Sequence, residues 1–481
     1  MNHELQNLEP KALWGYFSAL NAVPRASKKE ERVIAFARAF GENLGLETTV
    51  DATGNVLIRK PATAGMENRP AVVLQSHLDM VHQKNSDTVF DFDTEGIQMR
   101  VDGDWVRARG TTLGADNGIG VASIMAILAS EDIAHPALEA LFTIDEETGM
   151  TGALGLEAGV LQGRIMLNLD TEDDTELTIG CAGGVDVTAT GNYSAEPASG
   201  TAYLLTVSGL TGGHSGMDIH LGRGNANKMI NRILTALQRE AGMRLSSLDG
   251  GGLRNAIPRE SKALFCVDDT QNSTIQELVN ALRATLQAEY ATTDPGLKVN
   301  LEPAPRPESV MQTEFQKKFL AAIYACPNGI YRMSPDIAGL VQTSNNLARV
   351  LAGNGNWTAL CLTRSAVDSE KTDLAEAIRQ SFELCGAAVE LSGSYPGWTP
   401  APGSGIVKLM RDIYQQKFNA EPQVNACHAG LECGILGRHY QGMEMISFGP
   451  NIRGAHSPDE CVQISSVQKF WGYLLEVLKQ V

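Results

Sequence analysis

Residues 29–44 (KEERVIAFARAFGENL) place apolar side chains at helical spacing, and Gly45 follows where a helix end favours a left-handed residue. Three short apolar runs come next, and each stops at a polar cluster. Ala71–Gln75 leads into SHLDM, Leu138–Ile144 into DEETG, and Arg164–Leu169 into Asp170. Between the first two, DNGIGVASIMAILAS opens on Asp116-Asn117 and continues through small apolar residues, which predicts a buried helix. Strands alternating with helices predict an α/β sheet, whose ligands sit beyond the carboxyl ends of the strands. All of these polar clusters fall there.

The pattern changes after Gly183-Gly184. TAYLLTVSGL and SKALFCVDD alternate as strands, while 224–240 and 274–290 are amphipathic helices. That order fits a β-α-β sandwich of the ferredoxin-like kind. From about residue 395 the strand-and-turn pattern returns, runs through MISFGPNIRGAHSPDE, and closes on a helix at 465–480. Polar clusters at both ends of the chain indicate a split α/β catalytic domain, 1–184 and 391–481. Residues 185–390 form an inserted α+β domain.

Length and charge narrow the function. A chain of 481 residues exceeds one compact core. A formal net charge of −17 argues against nucleic-acid and anionic-membrane partners, and no apolar stretch is long enough to cross a bilayer. The segment MNHELQNLEPKALW carries acidic residues and lacks the apolar run of a secretory signal. Eight cysteines without a C-x-x-C pair read as reduced thiols, so a cytoplasmic location is expected. Cys427 and Cys433 flank His428 at a spacing that does not suit a zinc knuckle.

The strand ends carry the chemistry. His77 and Asp79, two apart on a strand, would share a face, letting the carboxylate hold the imidazole N–H and fix which nitrogen meets a metal. Asp116 lies in TTLGADNG, whose glycines permit close approach but which has neither a P-loop lysine nor a dinucleotide fingerprint. Glu146 and Glu147 repel one another unless a cation is near; on a strand end they would point to opposite sides, one to metal and one to substrate. With Asp170 and His456, the set offers two histidines and three carboxylates, which suits two metals sharing one carboxylate.

The ordered set SHLDM, GTTLGADNGIG, DEETGM, NLDTE, GGHSG, GGLRNAIPRE, HAGLECG and GAHSPDE resembles the aminoacyl-histidine dipeptidases, also called cytosol non-specific dipeptidases. These are carnosinase-like members of the zinc peptidase and aminoacylase group. The likeness implies two divalent metals, zinc with cobalt or manganese as alternatives. His77 and Asp170 would bind one metal, Glu147 and His456 the other, and Asp116 both, with a cis peptide after Asp116. Asp79 would orient His77 and Glu146 would be the general base. His214 of the inserted lid would reach a catalytic site across a homodimer interface, and Asn255, Arg364 and Gly430 would contact a small peptide. A guanidinium pairs bidentately with carboxylate, so Arg364 would anchor the peptide's C-terminus. GGHSGM is not a nucleophile elbow, because Met217 stands where the second glycine belongs.

The resemblance implies hydrolysis of unblocked dipeptides, Xaa-His such as β-alanyl-histidine included. An N-acyl amino acid deacylase would share the metal site and differ in its pocket. A non-catalytic metal-binding protein on this scaffold would have no need of Glu146.

Overall fold

The computed structural model describes residues 5–481, which divide into two compact units. One runs through Gly180 and resumes over Trp398–Ala426 and Leu431–Val481; the other is Cys181–Gly397 with Cys427–Gly430. Strand Ala388–Tyr395 pairs with Gly183–Asn192, so the inserted unit continues past residue 390.

The catalytic unit is built on an eight-stranded mixed sheet. Its centre is parallel: Val72–His77 lies between Leu138–Thr143 and Ile165–Asn168, and Glu444–Ser447 follows beyond. Every residue of the first two strands is buried, as expected of strands covered on both faces. The helix Ala115–Ala129 packs against Val72–His77, and Lys11–Asn21 packs on that helix. Gly120 lets it lie close to the strand ends, since a Cβ there would come 2.8 Å from the Leu169 carbonyl oxygen, while Gly118 faces Phe17, 3.0 Å from where its Cβ would stand. Gly45 follows the helix Glu31–Asn43 at φ 69°, where it ends the helical run. A separate four-stranded sheet, with Ile452–Arg453, Cys461–Gln463, Trp105–Ala108 and Met99–Asp102 in order, holds the base of the loop bearing His456.

The inserted unit carries a nine-stranded sheet. Strand Thr201–Ser208, helix Ala226–Ala241, hairpin Arg244–Gly251 with Ser261–Val267, helix Asn272–Glu289 and strand Lys298–Pro303 follow β-α-β-β-α-β order. In space these strands run fourth, first, third, second, the ferredoxin-like arrangement. The expected sandwich is therefore present, and it occurs twice. Strand Gly183–Asn192, helix Thr313–Ala325, hairpin Val341–Gly353 with Asn356–Ser365, helix Asp368–Glu383 and strand Ala388–Tyr395 repeat the same order. The first module is inserted after the first strand of the second. Arg244–Gly251 pairs antiparallel with Val341–Gly353 to join them, and Gly329–Met333 pairs with Val341–Gly353 as the ninth strand. Phe265, Phe319, Trp357 and Phe382 lie in one continuous core beneath this sheet.

Among the described residues no helix is long and apolar enough to cross a membrane. None of the eight cysteines forms a disulfide; seven are buried and Cys427 is half-buried.

Candidate metal centre

The catalytic unit gathers the residues that chain order separates. His77 closes its strand, Asp170 follows Ile165–Asn168, and Asp116 opens the central helix with non-helical dihedrals. His456 projects from its loop at φ 63°. His77 Nε2 stands 3.2 Å from Asp116 Oδ1 and 3.6 Å from Asp170 Oδ1. His456 Nε2 stands 3.2 Å from Asp116 Oδ2 and 3.0 Å from Glu147 Oε2. Two ligand groups result, His77–Asp116–Asp170 and Asp116–Glu147–His456, with Asp116 offering one oxygen to each. The Asp116–Asn117 peptide is cis, and the Asn117 amide donates to Asp170 Oδ1.

Two local expectations need correction. Asp79 is not on the strand, which ends at His77, and Glu146-Glu147 are not at a strand end but open the short helix Glu146–Gly149. The turn into it is made by Asp145 at φ 54°. The two glutamates consequently do not point to opposite faces. His77, Glu146 and Glu147 each bring a ligand atom into one group. Asp79 holds both sides of this arrangement. The His77 Nδ1–H faces its carbonyl oxygen at 3.1 Å and its Oδ1 at 3.3 Å, while the Glu146 and Glu147 N–H groups donate to Oδ1 and Oδ2 at 3.1 and 3.3 Å. Ser27 Oγ adds a bond of 2.7 Å to Oδ2.

The electrostatics match a cation site. Burial opposes ionisation of Asp170, the Asp116 charge adds to it, and its proton is held well above the ordinary carboxylate range. Burial does the same to Glu146, reinforced by Asp170, Glu147 and Glu432 against the opposing pull of His77. Asp116 is also desolvated, yet hydrogen bonds from His456 and His77 outweigh this and keep it below that range. Bonds to Asp116 and Glu147 push His456 up to about 11. Protons thus stand where positive charge is wanted, and Glu147 Oε1 is buried without any partner. Two imidazoles and a cluster of carboxylates, one of them shared, fit a pair of divalent cations.

Three supporting residues have no signal in the periodicity. Arg25 is buried and ties the two turns together, giving Nη1 to the Leu78 and Asp79 carbonyls at 3.0 Å each and Nη2 to the Gly114 carbonyl at 2.5 Å. Gly114 has φ 69°, and a Cβ there would lie 2.4 Å from Arg25 Nη2. Glu460 accepts the N–H groups of Leu113, Gly114, Ala115 and Asp116 at 2.7–3.3 Å. Glu432 lies beneath the strand ends, accepting from Gln75 Nε2 and Thr143 Oγ1 at 2.6 Å each. The last glutamate of GAHSPDE and the glutamate of HAGLECG stand within the motifs, but nothing in their spacing marks them as buried.

His214, Asn255, Arg364 and Gly430 all fall in the inserted unit. His214 sits in a turn whose Gly216 and Met217 N–H groups donate to Nδ1 at 3.1 and 3.0 Å, leaving the ring proton on Nε2. The Asn255 carbonyl accepts from the Ser215 N–H at 2.7 Å, which sets these two turns side by side. Arg364, on Asn356–Ser365, is 5% exposed and donates from Nη1 to the Tyr395 hydroxyl at 2.8 Å.

A mixed α/β sheet with a parallel centre, two candidate ligand groups that share Asp116, and an inserted α+β unit define a class, and the chain belongs to peptidase family M20/M25/M40, whose pattern matches residues 73–480. Over 480 residues it is 44% identical to the cytosol non-specific dipeptidase of Escherichia coli K12, covering 99% of each chain. The crystal structure of aminoacylhistidine dipeptidase from Vibrio alginolyticus superimposes with a TM-score of 0.93 at 44% identity, covering 99% of this chain and 98% of that one. Aminopeptidase PepT from Bacillus cereus, at 15% identity and a TM-score of 0.57 over 98% of this chain and 99% of that one, shares the fold.

Proposed function

We propose that this protein is a metal-dependent dipeptidase that hydrolyses unblocked dipeptides, Xaa-His dipeptides such as β-alanyl-histidine among them. The observation that carries the reading is the pair of ligand groups sharing Asp116, one oxygen to each. The printed names of the two relatives at 44% identity support the substrate class. His77 and Asp170 would hold one metal, Glu147 and His456 the other, and Asp116 both. Zinc suits these ligands, and cobalt or manganese would also fit. Such a pair acidifies water and polarises the scissile carbonyl.

The chain's own groups do the rest. Glu146 takes the proton of the attacking water and returns it to the leaving amine. Asp79 keeps the His77 ring turned so that Nε2 faces the ligand cluster. His214, with its proton fixed on Nε2, supplies a hydrogen bond to the oxyanion. Arg364 takes the peptide's C-terminal carboxylate, and Asn255 and Gly430 line the same substrate. The reduced thiols and the relative's cytosolic name support a cytoplasmic location. We also infer a homodimer, which light scattering would read as twice the 51.6 kDa of one chain; a single-chain mass would remove it.

Kinetics of the zinc- or manganese-loaded protein on a dipeptide, carnosine, a tripeptide and an N-acyl amino acid test the function. Turnover of dipeptides alone is expected. Turnover of N-acyl amino acids with dipeptides untouched would replace the dipeptidase reading by the deacylase.

A further inference from the structure

The inserted unit contains a buried cation with no carboxylate in ion-pair contact; Asp186 acts on it only from further away. Arg364 is 5% exposed, its one side-chain bond is to the Tyr395 hydroxyl, its Nε is buried without a partner, and among the described residues no carboxylate lies within ion-pair distance. Buried guanidinium groups are rarely left so, because an unpaired charge away from water is costly.

His428 stands next to this cation with the same deficit. It is 6% exposed, its Nε2 is 2.7 Å from Ser344 Oγ, and its Nδ1 is buried with no partner. Burial, with the Arg364, His214 and His220 charges, pushes the imidazole down to about 3, so it is neutral near pH 7. The groups converge on Gly216. A Cβ on that residue would lie 2.1 Å from the His428 carbonyl oxygen, 3.2 Å from Arg364 Nε and 3.2 Å from His214 Cε1. Without a side chain at Gly216, the His428 backbone, the Arg364 guanidinium and the His214 ring approach one another closely.

We propose that His428 is a second carboxylate-binding residue, donating from Nδ1–H to the peptide's C-terminal carboxylate alongside Arg364. In this assignment the Ser344 hydroxyl, 2.7 Å away, donates to Nε2, which places the ring proton on Nδ1. A neutral donor beside a guanidinium can approach it without charge repulsion, and the two together offer one donor to each carboxylate oxygen. The assignment makes His428 a determinant of selectivity for free C-termini, and it rests on the dipeptidase reading above.

The test compares the metal-loaded wild type with H428A, H428N and H428Q on alanyl-leucine and alanyl-leucine amide. For H428A, kcat/KM on the free dipeptide should fall about tenfold or more, chiefly through KM, as expected for a lost bond to a charged group. The amide should respond less than threefold, so a general folding defect, which would lower both, is separable and counts against the proposal. H428N carries an N–H at the Nδ1 position and should restore most of the KM; H428Q carries its amide at the Nε2 position and should not. Unchanged KM in H428A, equal losses on both substrates, or rescue by H428Q rather than H428N would overturn the proposal while leaving the dipeptidase intact. Wild-type protein inert on alanyl-leucine would remove both.

Discussion

Glu432 shows how one side chain can tie stability to pH. It is fully buried, accepts from Gln75 and Thr143 through Oε2, and leaves Oε1 without a partner. Burial raises its pKa from an ordinary 4.5 to about 7, which the bonds from Thr143 and Gln75 only partly offset. The folded chain therefore holds this proton more tightly than the unfolded chain does. The resulting stabilisation is complete below 4.5 and is lost as pH rises through about 7. A rise of that size corresponds to a loss on the order of 3 kcal/mol. Glu432→Gln cannot ionise. Urea unfolding of the metal-free proteins should show wild type losing that stability relative to the variant between these limits; parallel pH profiles would mean that Glu432 does not titrate there. The cluster of His77, Asp116, Glu147, Asp170 and His456 was legible because these scarce residue types stand in polar motifs that interrupt or follow the apolar runs. Glu432 and Arg25 were not, since a lone charged letter is usually a solvated surface group and only packing reveals it as buried.

At the scale of elements, the segment Leu113–Asp116 is held by one carboxylate from a distant part of the chain. Glu460 accepts four successive N–H groups there, and Arg25 takes the Gly114 carbonyl. Removing the acceptor strands buried donors ahead of the helix that presents Asp116. Glu460→Ala should cost on the order of 3–5 kcal/mol in urea unfolding, and should weaken metal binding by about 10–100-fold, as the loss of a group that orients a ligand does. A variant with wild-type metal affinity would show that Asp116 is positioned without Glu460. Periodicity located the strands and the central helix because their burial is continuous. It misplaced Glu146-Glu147 because Asp145, at positive φ, turns the chain into a short helix directly after the apolar run. The doubled ferredoxin-like module was also hidden. Topology of that kind is set by alternation and turn placement, neither of which requires the two halves to share letters.

For the whole molecule, the proposed function depends on a ligand set drawn from residues 77 to 456 and joined at Asp116. Each cation that binds the folded chain and not the unfolded one adds stability by mass action, about 2.7 kcal/mol at a hundredfold excess over Kd. Chelation should therefore lower the melting temperature as well as activity. The most direct measurement is a titration of chelator-treated protein with zinc, following bound metal per chain and dipeptide turnover together. Two equivalents should bind per chain, with turnover rising to its plateau only as the second is taken up. Saturation of both signals at one equivalent would contradict a centre in which Asp116 joins two metals.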